Sequence, residues 1–150
     1  MKLRRGHTVS PEDLEFRDAF EAGDVPPAQF RHRDHVRLAY IYLCEFDPDS
    51  ANDRMRSALL GFLKANNIPL GKYHETLSRS WINAVRHFMD IEEPSSCFEE
   101  FLAKGMQLLN AELMLTHYSC EVLFSKRARR QFLEPDLKPI PEHHEKENTG

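Results

Sequence analysis

Apolar side chains recur at intervals of three or four residues through much of the sequence, and this spacing restricts the chain to helices. Val36, Ala39, Tyr40, Leu43 and Phe46 follow it and would share one face of a helix with 3.6 residues per turn. No segment shows sustained two-residue alternation with β-branched enrichment, which is the pattern of a strand. The sequence therefore predicts an all-α fold.

Residues that start and stop helices define the first two elements. Ser10 as N-cap, Pro11 at the first helical position and Gly23 as a stop predict a first helix over residues 11–22. The prolines of "DVPPAQF" cannot continue that helix. A second helix is therefore predicted to begin near His32.

Later segments predict further helices of different lengths. Apolar stripes indicate a third helix through Leu63 and a fourth from His74 to Phe88. Ser96 and Glu99 have capping-box spacing, which predicts a fifth helix from Ser96 through "LL" at 108–109. Shorter helices are expected after Asn110 and Ser125.

Chain length and composition predict one folded unit. The chain has 150 residues, of which 41% are hydrophobic and 29% are charged. This length and composition suffice for one hydrophobic core, but the chain is too short for two domains of ordinary size. We therefore predict a single-domain bundle of about five to seven helices over residues 1–140. Residues 141–150 carry many charges and few apolar groups, so they are predicted to be a disordered, flexible tail.

Charge and cysteine content narrow the class of protein. The formal net charge of −4 argues against a general nucleic-acid binder. Three widely spaced cysteines indicate neither a disulfide framework nor a zinc knuckle. No stretch approaches the roughly 20 apolar residues that span a bilayer. We expect a cytoplasmic protein with no membrane partner, and a homo-oligomer is compatible with the sequence.

Two polar motifs precede the second and fourth apolar stripes. "FRHRDHVRLAYIYL" contains His32, Asp34 and His35, and "GKYHETLSRSW" contains His74 and Glu75. Short connections favour antiparallel neighbours, so the second and fourth helices should run parallel and start at the same end of the bundle. We therefore expect the two motifs to form one His/carboxylate pocket.

Such a pocket suits three kinds of chemistry. It could hold a divalent transition metal through imidazole and carboxylate ligands. It could hold a small anionic ligand at two helix N-termini, or use a neutral histidine for acid–base catalysis. A purely structural role also stays open, because acids in a first helical turn interact favourably with the helix dipole.

The leading hypothesis is a small enzyme or ligand-binding protein acting on a small molecule, and it gives each residue a role. The predicted catalytic residues are His35, His74 and Glu75, the ligand-binding residues are Asp34, Tyr73, Thr76 and Trp81, and the metal ligands are His32, His35 and His74.

The alternative hypothesis is a non-catalytic structural protein or a protein or RNA interaction module. Its histidines would only complete helix starts, and its binding surface would be the basic run "KRARR" at 126–130. Charge reversal at Arg127, Arg129 and Arg130 would break that contact, since four cations on a short helix suit an acidic partner.

The motifs resemble those of a family of small, all-helical bacterial proteins of unknown function. The resemblance rests on "FxHRDHVRLAY", on "GKYHETLS" and on "HYSxExLFSxxARxxFxEPDLKPIP", and covers most of residues 28–141. It implies a helical fold and supplies no activity, cofactor or substrate. It singles out Phe30, His32, Asp34, His35, Tyr73, His74, Glu75 and Thr76 as the residues that a shared function would use.

Overall fold

Seven α-helices, joined by short loops and 3-10 turns, make up the chain in a computed structural model that describes residues 6–141. They are α1 (Pro11–Glu21), α2 (His32–Glu45), α3 (Pro48–Ala65), α4 (Glu75–Ile91), α5 (Phe98–Lys104), α6 (Cys120–Leu123) and α7 (Lys126–Arg130). Over the described residues there is no β-strand, and the predicted all-α bundle is confirmed. Apart from Pro141, the predicted tail lies outside the described residues.

Local capping signals set the ends of the first and last helices. The Ser10 side chain accepts a hydrogen bond from the Asp13 N–H, and the Asp13 carboxylate accepts one from the Ser10 N–H, both at 3.0 Å. Gly23 follows α1 with φ of 80°, a conformation that glycine adopts without a Cβ penalty. Ser125 caps α7 by accepting a hydrogen bond from the Ala128 N–H. These predicted boundaries are confirmed.

Helix α5 is shorter than predicted. It begins at Phe98 behind Cys97 and ends at Lys104, and a separate 3-10 turn, Met106–Leu109, follows Gly105. The predicted capping pair of Ser96 and Glu99 is wrong, because Glu100 accepts the hydrogen bond from the Ser96 N–H and Glu99 instead pairs with Arg33.

Helices α2, α3 and α4 pack on one another at the centre of the bundle. Between α3 and α4, Asp49 pairs with Arg79 at 2.9 Å, while Asn52, one turn later on α3, bonds to Glu75, one turn earlier on α4. This order of contacts is that of antiparallel neighbours. The apolar faces of the three helices supply most of the hydrophobic core.

The segment after α7 folds back onto the first turn of α4. The Thr76 hydroxyl donates a hydrogen bond to the Gln131 carbonyl at 2.8 Å and accepts one from the Leu133 N–H at 3.0 Å. The Tyr118 hydroxyl donates to the Leu133 carbonyl at 2.6 Å. Residues 131–133 are thereby fixed beside the start of α4.

The length and apolar character of a helix decide whether it can cross a bilayer. Within residues 6–141, none of the helices combines the length and apolar character needed to cross a bilayer.

Candidate functional site

A cavity of 260 Å³ lies between the start of α2, the second half of α3 and the first turns of α4. We call it the His35 cavity. It contains both His35 and His74, one from each polar motif. Most of its wall is apolar, and the residues that line it are Phe30, His35, Leu59, Phe62, Leu63, Lys72, Tyr73, His74, Leu77 and Ser78.

His35 lines this cavity and carries an unpartnered polar atom. The residue is half-buried, and its Nε2 is covered and has no hydrogen-bond partner among the described residues. Burial, with a smaller effect from the nearby His32, lowers the pKa of His35 to about 4. The imidazole is therefore neutral at pH 7, and Nε2 can either donate or accept one hydrogen bond.

Ser78 adds a second polar group to the cavity wall. Its hydroxyl is buried and makes no hydrogen bond with another described residue, although it lies close enough to the Tyr73 hydroxyl to affect the pKa of that phenol. Burial and a hydrogen bond to Glu75 raise the pKa of Tyr73. Tyr73 therefore stays protonated and neutral at pH 7.

His74 faces the same cavity but has a structural role. It is the N-cap of α4, and its Nδ1 accepts a hydrogen bond from the Leu77 N–H at 3.1 Å. Nε2 must then carry the proton, and it donates to the Leu123 carbonyl at 2.7 Å. Burial lowers the pKa of His74. Both ring nitrogens are thus engaged with the backbone.

The predicted three-histidine metal site is not assembled in residues 6–141. His32 points its Nε2 at the Leu108 carbonyl, 2.8 Å away, and packs against Trp81 with 4.5 Å between ring centroids. His74 has no lone pair left for a metal. The described part of the chain contains no group of three or more His, Cys, Asp or Glu side chains that could hold a metal ion.

Glu75 belongs to a charged network outside the His35 cavity. Arg56 Nε and Nη2 donate to its two carboxylate oxygens at 3.0 and 2.8 Å, Tyr73 donates at 2.7 Å and Asn52 at 3.0 Å. Burial raises the pKa of Glu75, but these hydrogen bonds outweigh it and lower the pKa to about 2. A carboxylate held in this way is a poor proton acceptor at pH 7.

Three other predicted ligand-binding residues are used within the fold. Asp34 is buried and accepts a hydrogen bond from the Arg31 N–H at 3.0 Å, which caps α2. Thr76 is fully buried and holds the segment after α7. Trp81 is buried against His32 and does not line the His35 cavity.

The basic run forms part of a larger cleft of 680 Å³. Lys126, Arg129 and Arg130 line it together with Arg56 and Tyr73. Arg129 Nη1 lies 3.4 Å from the Gly71 carbonyl. Part of the basic run of the alternative hypothesis therefore borders a concave region, and its use as an interaction surface stays a prediction.

Sequence reasoning missed several residues that line the His35 cavity. Ser78 lies four residues after His74, so helical spacing could have placed both on one side of α4. Phe62 and Leu63 belong to the apolar stripe of α3, but nothing in that stripe distinguishes a cavity wall from a filled core. No sequence pattern indicated that Lys72 lines a cavity.

No family model, curated protein or solved structure matches the chain. The resemblance to a family of helical bacterial proteins stays a prediction.

Proposed function

We propose that this protein binds a small, largely apolar and uncharged molecule in the His35 cavity. The observation that supports this most is the buried Nε2 of His35, which has no partner among the described residues although the residue lines a cavity. A buried polar atom without a hydrogen bond costs about 1–3 kcal/mol. A ligand with one hydroxyl or carbonyl group would remove that cost.

The dimensions and chemistry of the cavity define the ligand. Ligand pockets commonly enclose about 300–1,000 Å³, so a cavity of 260 Å³ suits a molecule of about one ring. Phe30, Phe62 and Leu77 would contact its apolar surface. His35 Nε2 would contact its polar group, with the Ser78 hydroxyl as a second partner.

The electrostatics of the site favour binding over acid–base catalysis. A general base works best when its pKa is near the working pH, whereas the pKa of His35 is lowered to about 4. His74 would not contact the ligand through a free nitrogen. Its role would be to position the cavity wall, because its hydrogen bonds to the backbone of Leu77 and Leu123 fix that wall.

A matched pair of probes tests the proposal. p-Cresol and toluene have the same ring and methyl group, and only p-cresol has a hydroxyl. Calorimetric titration should show that the protein binds p-cresol about three to ten times more tightly than toluene, the value of one net hydrogen bond. His35→Leu should remove this preference while toluene binding persists.

His117→Leu is the control, because it makes the same substitution outside the cavity and should preserve the preference for p-cresol. The proposal fails if neither probe binds, or if His35→Leu retains the full preference.

A further inference from the structure

A second cleft, of 470 Å³, lies between α3 and α4 on the side of Arg86 and is highly polar. We call it the Arg86 cleft. Glu75, Arg79, Asn83 and Arg86 follow one another at helical spacing on α4 and line one wall. Asn52 and its neighbours on α3 line the opposite wall, and Glu134, after α7, contributes to the lining.

Most charges in this cleft neutralise each other. Arg79 pairs with Asp49 at 2.9 Å. Arg56 pairs with Glu75 at 2.8 Å and with Asp53 at 3.0 Å. These pairs form the walls and leave their members little capacity to bind anything else.

Three groups in the cleft remain without partners. Arg86 is only 9% exposed, and its Nε is covered and has no hydrogen-bond partner among the described residues. Asn52 is 3% exposed, and its Oδ1 has no donor although its Nδ2 bonds to Glu75. Glu134 is exposed and forms no ion pair within the described residues.

A buried guanidinium nitrogen without a hydrogen-bond partner costs stability. Replacing Arg86 by an apolar side chain would remove that cost, so stability alone does not explain the residue. A guanidinium offers a fork of N–H donors that matches a carboxylate. The unpartnered Nε of Arg86 therefore suits a carboxylate on a ligand.

We propose that the Arg86 cleft binds a small zwitterion with one carboxylate and one ammonium group, as in a free amino acid. The carboxylate pairs with Arg86, and the ammonium pairs with Glu134. Four carboxylates and three guanidinium groups line the cleft, so a multiply charged anion such as phosphate is disfavoured, whereas a neutral zwitterion is not.

A series of probes that differ in the spacing of the two charges tests this proposal. Glycine, β-alanine, 4-aminobutyrate and 6-aminohexanoate are titrated calorimetrically into the full chain. At least one should bind about tenfold more tightly than the carboxylate and the amine of the same length, because each lacks one charge-assisted hydrogen bond. Butyrate and butylamine are the comparisons for 4-aminobutyrate.

Two variants locate the binding site. Arg86→Met and Glu134→Gln should each weaken the best probe by about tenfold or more. Arg86→Met should also raise the urea midpoint of unfolding, because it removes a buried nitrogen that has no hydrogen-bond partner. Glu134 is exposed, so Glu134→Gln should fold normally. A loss of affinity in this variant could then not be attributed to misfolding.

Arg127→Gln and Glu121→Gln are the matched controls, since both side chains are exposed and lie outside the cleft. They should leave the affinity unchanged. The proposal is overturned if no member of the series binds, if butyrate binds as tightly as 4-aminobutyrate and its analogues, or if both cleft variants bind like the wild type.

Discussion

At the scale of single residues, the two sites depend on polar groups that the fold leaves without partners. The great majority of buried polar atoms in proteins are hydrogen-bonded, and here most buried polar side chains follow that rule. His35 Nε2 and Arg86 Nε do not, and both residues line a concave region. In the two proposals, a ligand supplies the contact that each residue lacks.

His35 should also make stability depend on pH. An unfolded histidine titrates near its ordinary value of about 6.5, whereas burial lowers the pKa of His35 in the folded chain to about 4. Between these values the unfolded state binds the additional proton, so stability falls as the pH is lowered from 6.5 to 4. The linked loss is about 3 kcal/mol.

Urea unfolding measured at several pH values checks this prediction. His35→Leu should reduce the slope between pH 6.5 and 4 and leave the part linked to His74, whose pKa is also lowered by burial. The control Leu77→Ala, which changes the same cavity without a titrating group, should lower stability at every pH and keep the slope. The stability loss linked to protonation of Glu75 occurs at lower pH, because the pKa of this carboxyl falls from 4.5 to about 2 in the folded chain. An unchanged slope in His35→Leu would contradict the assignment.

At the scale of elements, His74 joins the start of α4 to α6. Its Nδ1 caps α4 and its Nε2 holds the Leu123 carbonyl. Asparagine can supply the first contact as an N-cap, but it is too short to replace the second. The pair of substitutions His74→Ala and His74→Asn therefore separates the two contributions.

His74→Ala should cost about 2–4 kcal/mol in the free energy of unfolding, from the lost cap and the unsatisfied carbonyl. His74→Asn should recover about 1 kcal/mol of that loss. Chemical denaturation of both variants at pH 7 gives the comparison. An equal loss in the two would show that the cap contributes nothing measurable.

Helix positions were largely predictable because their signals are local. Ser10, Pro11 and Ser125 act on neighbouring backbone groups, so the sequence around them is enough. The limit appears at α5, where Glu99 turns to Arg33 on a distant helix and Glu100 takes the local hydrogen bond. Which glutamate caps the helix depends on tertiary packing, and a local sequence pattern does not predict that packing.

At the scale of the whole molecule, the sequence indicated where polar side chains cluster but not which of their atoms stay free. His35 and His74 both line the His35 cavity, but the Leu123 carbonyl engages the imidazole of His74, whereas Nε2 of His35 has no partner among the described residues. Glu75 follows His74 directly but faces Arg56 in another cluster. No motif singled out Arg86, because an unpartnered Nε is visible only in the folded chain.

The two proposed sites use different residues of α4. His74, Leu77 and Ser78 line the His35 cavity, whereas Arg79 and Arg86 line the Arg86 cleft. The hydrogen bond from Tyr73 to Glu75 joins the two linings, but His35 and Arg86 can each be replaced without changing a residue that lines the other site.

The central claim is that His35 is a neutral, unpartnered imidazole that a ligand can engage, and nitrogen NMR of the histidine rings tests it most directly. Long-range ¹H–¹⁵N spectra at pH 6 should show His35 in a neutral form, and p-cresol should shift its Nε2 resonance while the nitrogens of His74 stay in place. A charged His35 ring at pH 6, or a Nε2 resonance that p-cresol does not move, would contradict the claim.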